Sequence, residues 1–137
     1  MTLSTSPEET QNIAKKIHEK IKNGGIVFLI GDLGTGKTVF TKGFSESLGI
    51  HNFKIKSPTY TYIREYPLKD RKFIHIDLYR FTEVDDLFLH ELEELTANPK
   101  DIIIVEWADK LPEDFLTPDI KINFQYIDQN KREIKIL

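Results

Sequence analysis

The most informative stretch of this sequence is Gly31-Asp32-Leu33-Gly34-Thr35-Gly36-Lys37-Thr38. It fits the pattern G-x-x-x-x-G-K-[ST] at every fixed position, and it joins an apolar run to the start of an amphipathic helix. The glycines allow the backbone to turn several N–H groups inward around a phosphate, and the helix N-terminus adds partial positive charge there. The stretch therefore predicts a phosphate-binding loop.

The last two residues of this loop have separate predicted tasks. Lys37 is expected to reach the β- and γ-phosphate oxygens of a nucleotide, and the Thr38 hydroxyl is expected to ligate Mg²⁺. Loops of this kind also need an acidic group for the metal or its waters. That group usually stands at the end of a neighbouring hydrophobic strand.

Two carboxylates stand at such strand ends: Asp77 follows the run 73–76, and Glu106 follows the run 102–105. Parallel strands open at their carboxyl ends onto one crevice, so both carboxylates are expected beside the nucleotide. We predict that Glu106 ligates the metal, because its strand is the more apolar. Asp77 is then expected either in the second coordination shell or as the residue that orients the attacking water. One of the two could instead be an ordinary surface carboxylate at a strand end.

Hydrophobic periodicity before and after the loop alternates between strand and helix. Ser6-Pro7 predicts the start of a helix that runs to Gly24-Gly25, and the apolar residues 25–30 predict a central parallel strand. A second helix is predicted from the loop to Gly49. Its inward-facing apolar residues are Val39, Phe40, Phe44 and Leu48.

The second half of the chain predicts the remaining elements. In chain order they are a hairpin of 59–66 with 73–77, a short helix ending before Pro99, a buried strand at 102–106, and a closing antiparallel pair of 120–126 with 132–137. The apolar residues of the short helix are Leu87, Phe88, Leu92 and Leu95. Together these elements predict a single α/β domain over residues 1–137, with a P-loop NTPase-like mixed, mainly parallel sheet and flanking helices.

Composition limits the class of protein. The chain has 137 residues, the size of one ordinary domain, and it contains no cysteine, which excludes disulfides, thiolate zinc sites and cysteine nucleophiles. Without a secretion signal or an apolar run near the ~20 residues of a membrane span, we expect a cytoplasmic protein with no membrane partner. The net charge of −3 lacks the basic excess of a protein that grips nucleic acid alone. Any nucleic acid is therefore expected to be held by a partner.

Three features are open to two interpretations. Ser57-Pro58-Thr59-Tyr60-Thr61 lies where nucleotide switches keep a hydroxyl that senses the γ-phosphate, but a turn leading into an ordinary strand explains it equally well. Trp107 either covers the nucleotide or packs in the core. The histidines show no metal-ligand spacing and are interpreted as surface or internally satisfied residues; they are His18, His51, His75 and His90.

Three further motifs accompany the loop in a fixed order: S-P-T-aromatic-T at 57–61, H-x-D-L-Y-R at 75–80 and V-E-W at 105–107. With this combination and spacing, essentially the whole chain resembles the bacterial TsaE (YjeE) family of P-loop ATPases. The resemblance implies an ATPase required for threonylcarbamoyladenosine modification of tRNA. It also implies TsaD and TsaB as partners that carry the transferase chemistry, with tRNA contacted only indirectly.

The resemblance further implies ATP and Mg²⁺ as cofactors and assigns residues to them. Lys37, Asp77 and Glu106 take the catalytic positions, and Thr38 and Glu106 take the metal positions. The implied ATP-binding residues are Thr10, Asp32, Leu33, Gly34, Thr35, Gly36, Lys37, Thr38, Val39 and Arg132.

Two residues depart from the family pattern: Tyr60 replaces the usual Phe and Ala108 the usual Pro, which leaves the local loop shape open. A small-molecule kinase is the main alternative function, but this chain has few arginines and no long insertion that could build a lid. A GTPase is disfavoured because no N-K-x-D motif is present. A nucleotide-dependent binding module would differ from an ATPase only in turnover.

Overall fold

The computed structural model describes residues 2–32, 34–51, 63–82 and 84–137 of the chain. Within these ranges it contains seven β-strands, three α-helices and one 3₁₀ turn. In chain order they are β1 (Thr2–Ser4), α1 (Pro7–Lys20), β2 (Gly25–Ile30), α2 (Lys37–Ser47), β3 (Ile63–Pro67), β4 (Lys72–Asp77), α3 (Asp86–Leu95), β5 (Ile102–Glu106), the 3₁₀ turn Ala108–Lys110, β6 (Ile120–Tyr126) and β7 (Arg132–Ile136). None of the described helices has the length and apolar character that a membrane crossing requires.

All seven strands form one sheet in the order β1-β7-β6-β2-β5-β4-β3. The four central strands β6, β2, β5 and β4 run parallel to one another, and the pairs at both edges are antiparallel. The predicted mixed sheet with a parallel centre is confirmed. Parallel pairing directs the carboxyl ends of β2, β4 and β5 to the same edge, where ligands of open α/β sheets bind.

The sheet is covered by helices on both faces because its central strands are apolar on both sides. Val27 and Leu29 of β2 point to the face covered by α1 and α2, where they join Phe40 and Phe44 in one fully buried cluster. The alternate residues of the sheet point to the opposite face, where Leu92 of α3 packs. Such two-sided burial is what a parallel strand requires.

The predicted boundaries agree closely with the structure for the central strands. The apolar runs 25–30 and 102–106 coincide with β2 and β5, and 120–126 coincides with β6. The predicted hairpin is confirmed in its described part, where β3 pairs antiparallel with β4. Residues 59–62 of the predicted hairpin lie outside the described residues.

Three details differ from the sequence prediction. Strand β1 is not anticipated, because three residues with one apolar side chain give no periodicity, yet it pairs with β7 at the sheet edge. Helix α1 ends at Lys20 rather than at the glycine pair, and a turn covers the interval. Leu87 is 70% exposed, although it was assigned to the apolar face of α3. At helical spacing Leu87 shares its stripe with Glu91 and Glu94 and not with the buried residues.

Helices α1 and α2 approach closely at Gly43. A Cβ atom at Gly43 would lie 2.7 Å from the Cα atom of Gln11, which is far inside van der Waals contact. The close approach matters for the site because Thr10, next to Gln11, faces the same cleft as the start of α2.

We predict that Gly43→Ala destabilises the fold by about 1–3 kcal/mol, the usual cost of overpacking. In an exposed helix the same substitution would stabilise by about 1 kcal/mol, because alanine is the better helix former. The measurement is the urea-unfolding midpoint, with Lys42→Ala on the exposed side of α2 as the control. A Gly43→Ala protein more stable than the parent would contradict the close approach.

Candidate functional site

A cleft of about 580 Å³ opens at the carboxyl edge of the central strands, within the range of small-molecule sites. One wall is the glycine loop with the first turn of α2, and the floor carries Asp77 and Glu106. These carboxylates end β4 and β5 and are direct partners in the parallel register. Residues 4–7 and 129–130 also line the cleft.

The N-terminus of α2 has no side-chain cap. Ser6 caps α1 by accepting from the Glu9 N–H, and Asp85 caps α3 by accepting from the Phe88 N–H. The corresponding residue of α2 is Gly36, in a left-handed conformation (φ 102°) that only glycine adopts without strain. The first-turn N–H groups of α2 therefore offer donors and partial positive charge to the cleft, which is the arrangement that binds phosphates.

The Lys37 ammonium is held inside this wall. Lys37 is 5% exposed, and its Nζ donates to the carbonyl oxygens of Gly31 and Asp32, the second at 2.8 Å. The same Nζ lies 4.4 Å from the centroid of the Trp107 ring, at cation–π distance. Burial lowers the pKa of Lys37, while the nearby Glu106 carboxylate acts in the opposite direction. A buried cation held by weak acceptors is placed to exchange them for an anionic ligand.

The two carboxylates of the floor have different surroundings. Burial raises the pKa of the Asp77 carboxyl above its ordinary value, and the adjacent Glu106 carboxylate raises it further. The Tyr79 N–H donates to Asp77 Oδ1 at 3.0 Å, which opposes that rise. Glu106 is 5% exposed, and its Oε2 lies 2.5 Å from Nε2 of His75.

His75 belongs to the site although sequence analysis assigned it no role beyond that of a satisfied residue. It is indeed satisfied, but its partner is Glu106. The signal was present in the sequence, since His75 and Asp77 alternate along one strand and must share a face of the sheet.

Arg132 shapes the loop wall. Its Nε donates to the Gly34 carbonyl oxygen at 3.0 Å, and its Nη1 donates to the Asp128 carbonyl oxygen at 2.6 Å. Its guanidinium carbon also lies 4.7 Å from the centroid of the Tyr126 ring. Arg132 therefore ties the glycine loop to the β6–β7 turn.

Thr10 is held from the N-terminal side. The hydroxyls of Thr10 and Ser4 lie 2.7 Å apart, and Ser4 also donates to the Ser6 carbonyl oxygen. This contact joins β1 to the first turn of α1. Strand β1, which was not predicted from the sequence, therefore helps to form the cleft.

The structure brings most of the predicted site residues into this one cleft. They are Thr10, Gly34, Thr35, Gly36, Lys37, Thr38, Val39, Asp77, Glu106 and Arg132. Val39, expected in the core, is only half-buried and lines the cleft. Asp32 lies beside the cleft, where its carbonyl oxygen accepts from Lys37 and Thr35. Leu33 and the predicted switch segment 57–61 lie outside the described residues.

Trp107 lines the cleft and, partly buried, also packs against the cluster beneath α3; that it covers a nucleotide stays a prediction. The cleft residues that sequence analysis did not single out are Ser4, Thr5, Ser6, Pro7, Tyr79, Gln129 and Asn130. Ser6 and Pro7 were recognised only as a helix start. Tyr79 was included only as part of the H-x-D-L-Y-R motif, and none of the other residues stands in a local pattern that indicates a ligand.

A buried strand, a glycine loop and an uncapped helix at the carboxyl edge of a parallel sheet define a P-loop NTPase-like fold. A family model described as "Threonylcarbamoyl adenosine biosynthesis protein TsaE" matches residues 4–134. The chain belongs to the TsaE family.

Individual relatives agree with this assignment. The tRNA threonylcarbamoyladenosine biosynthesis protein TsaE of Bacillus subtilis (strain 168) is 39% identical over 132 residues, covering 96% of this chain and 80% of that protein. The protein of the same name from Aquifex aeolicus (strain VF5) is 34% identical over 133 residues, covering 96% and 90%. The crystal structure of Bacillus subtilis YdiB superposes with a TM-score of 0.66 at 34% identity, covering 97% of this chain and 80% of that one.

We predict that Arg132→Ala loosens the glycine loop. Loss of a charge-assisted hydrogen bond worth about 1.5–3 kcal/mol should increase the fast backbone motion of residues 34–36, measured as lower NMR order parameters of their amides. Lys131→Ala, which removes an exposed neighbouring cation, is the control. Unchanged order parameters in the loop of Arg132→Ala would show that the bond to Gly34 does not hold it.

Proposed function

We propose that this chain is a Mg²⁺-dependent ATPase that serves tRNA threonylcarbamoyladenosine biosynthesis as a cytoplasmic accessory to the TsaD and TsaB proteins. The observation that carries the proposal is that one cleft contains an uncapped helix N-terminus, a buried lysine and two carboxylates. That combination suits a polyphosphate chelated to a divalent cation.

The phosphate end of the nucleotide is assigned to the loop wall. The first-turn N–H groups of α2 would bind the phosphate oxygens, and Lys37 would exchange its carbonyl partners for the β- and γ-phosphates. This exchange replaces neutral acceptors with charged ones, so it favours a bound triphosphate.

The residues of the cleft fit Mg²⁺ by their chemistry. The exposed Thr38 hydroxyl at the start of α2 and the Glu106 carboxylate on the floor are hard oxygen donors that this ion prefers. We assign the metal to these two residues together with phosphate oxygens and water. When bound, the ion would polarise the phosphate oxygens and neutralise part of their charge.

Asp77 is assigned to the attacking water. Its carboxylate lies on the floor beside Glu106, and burial raises its pKa, so it accepts a proton more readily than an ordinary aspartate. His75 keeps the Glu106 carboxylate in a fixed orientation through its Nε2 contact. The two carboxylates thus differ in role because their partners differ.

An accessory ATPase is favoured over a small-molecule kinase by the charge of the cleft. Among the described residues that line it, Lys37 and Arg132 supply the cationic side chains, and Arg132 is engaged by backbone carbonyl oxygens. A kinase surrounds the transferring phosphate with several cations carried on a lid. We therefore assign water as the phosphoryl acceptor.

The tRNA is assigned to the partner proteins. A chain with a net charge of −3 has no overall attraction for a phosphate backbone. Segment 57–66, rich in tyrosine, is the proposed surface for TsaD and TsaB; only its residues 63–66 lie within the described part of the chain. The pathway itself is suggested by the names that the relatives carry.

We predict opposite kinetic signatures for the two carboxylates. Glu106→Ala should weaken Mg²⁺-dependent ATP binding, because it removes a metal ligand. Asp77→Asn should bind ATP nearly normally and hydrolyse it at least roughly tenfold more slowly, the pattern of an interaction made only in the transition state. Calorimetric titration with and without Mg²⁺, combined with phosphate-release rates, separates the two effects. The reverse pattern would exchange the roles of the two residues.

The proposed function is tested by phosphate release from ATP and GTP in the presence of Mg²⁺, with and without TsaD and TsaB. We expect slow hydrolysis of ATP by the chain alone, nucleotide-dependent association with TsaD and TsaB, and negligible binding of isolated tRNA at physiological salt. Lys37→Ala should lose ATP binding and hydrolysis while Lys16→Ala, an exposed substitution on α1, keeps both. Phosphorylation of a metabolite, or hydrolysis by Lys37→Ala at the parent rate, would refute the proposal.

A further inference from the structure

Lys110 lies outside the cleft but joins the two segments that leave it. It is the last residue of the 3₁₀ turn that follows β5. Its Nζ donates to the carbonyl oxygens of Tyr79 at 2.6 Å and Phe81 at 2.7 Å, which belong to the segment that follows β4. The ammonium group of this half-buried lysine is therefore hydrogen-bonded to backbone carbonyl oxygens of a different segment of the chain.

The joined segments carry the two floor carboxylates. Asp77 ends β4 and Glu106 ends β5, and beyond this last register pair the ladder continues with one bond, from the Leu78 N–H to the Glu106 carbonyl oxygen at 3.2 Å. Past that bond the chains diverge, towards α3 and towards the 3₁₀ turn. Lys110 closes the gap from one chain to the other.

Aromatic rings reinforce the same junction. The rings of Tyr79 and Trp107 lie 5.3 Å apart, and the Lys110 Nζ lies 5.8 Å from the first centroid and 5.4 Å from the second. Both rings line the cleft, whereas Lys110 does not. Trp107 also has a left-handed backbone (φ 58°), a conformation that persists in a non-glycine residue only when its surroundings hold it.

We propose that Lys110 is a positioning residue that fixes Asp77 relative to Glu106 by clamping the segments that follow them. The proposal rests on the proposed function, since it concerns the hydrolysis assigned to that site. Lys110 does not itself line the cleft, and it acts through the residues that it contacts, which are Tyr79, Phe81 and Trp107. Small displacements of catalytic groups have large kinetic consequences, of about 10²-fold for 1 Å.

The test compares four forms of the full chain: the parent, Lys110→Met, Lys110→Arg and the control Lys16→Met, an exposed lysine on α1. Lys110→Met should lower kcat for Mg²⁺-ATP by roughly 10- to 100-fold and leave KM nearly unchanged. Lys110→Arg keeps a charged donor and should recover most of the rate. A KM increase at constant kcat would place Lys110 on the nucleotide and overturn the proposal, as would a kcat equal to the parent's.

A second readout needs no nucleotide. Trp107 is the single tryptophan of the chain, so tryptophan fluorescence reports on the surroundings of this one ring at the junction. Acrylamide quenching of Trp107 should increase in Lys110→Met and return towards the parent value in Lys110→Arg. Equal quenching in all four forms would overturn the clamp even if hydrolysis changed. If Lys110→Met does not fold, Lys110→Gln, which keeps an uncharged donor, should show the same changes to a smaller degree.

The two readouts, kcat and Trp107 quenching, distinguish a failure of the positioning role of Lys110 from a failure of the proposed ATPase function. A parent chain without Mg²⁺-dependent hydrolysis would refute the proposed function, while quenching would still decide whether Lys110 holds the junction. A parent that hydrolyses ATP, with kcat and quenching unaffected by Lys110→Met, would refute the positioning role alone.

Discussion

The parallel pairing of β2, β5 and β4 is the constraint on which the other features of this molecule depend. It brings the glycine loop, Glu106 and Asp77 to one edge of the sheet, although they are separated by up to about half of the chain in sequence. Parallel strands demand apolar residues on both faces, and the helices that cover those faces also carry the site. The loop leads directly into α2, so the element that buries Phe40 and Phe44 also presents its N-terminus to the cleft.

Charge is concentrated where this architecture leaves backbone groups open. The buried Lys37 ammonium is bound by carbonyl oxygens, and the two carboxylates lie in the same cleft, with the pKa of Asp77 raised by burial. Buried charges of this kind weaken a fold unless they are well paired, and their concentration in one cleft is typical of functional sites. Arg132 and Lys110 have a different role from these buried charges. Each donates hydrogen bonds to backbone carbonyl oxygens and so joins two separate segments of the chain.

Local patterns predicted much of this structure. Strands β2 and β5 were predicted at their observed boundaries because continuous apolar runs end abruptly at glycine or charged residues. The glycine loop was also predictable from sequence, because its whole motif lies within eight consecutive residues. Membership of the TsaE family was likewise predicted from short motifs, and the match of the family model to residues 4–134 confirms it.

Features that depend on non-local pairing were not predictable in this way. Strand β1 exists because β7 offers it an edge, and the link from Arg132 to Gly34 spans 98 positions of sequence. The contact of His75 with Glu106 depends on the register of two strands, and the contact of Lys110 with Tyr79 depends on where two loops diverge. The residues next to Arg132 and Lys110 in sequence give no sign of their partners, and the alternation of His75 with Asp77 indicates a shared face of the sheet but not the contact with Glu106.

The most direct test of this account is a crystal structure of the chain with Mg²⁺ and a non-hydrolysable ATP analogue. We expect the phosphates to lie against the first turn of α2, the Lys37 Nζ to leave the carbonyl oxygens of Gly31 and Asp32 for the phosphate oxygens, and the metal to lie between Thr38 and Glu106. A nucleotide bound elsewhere, or a Lys37 that keeps its carbonyl partners beside bound phosphates, would contradict it.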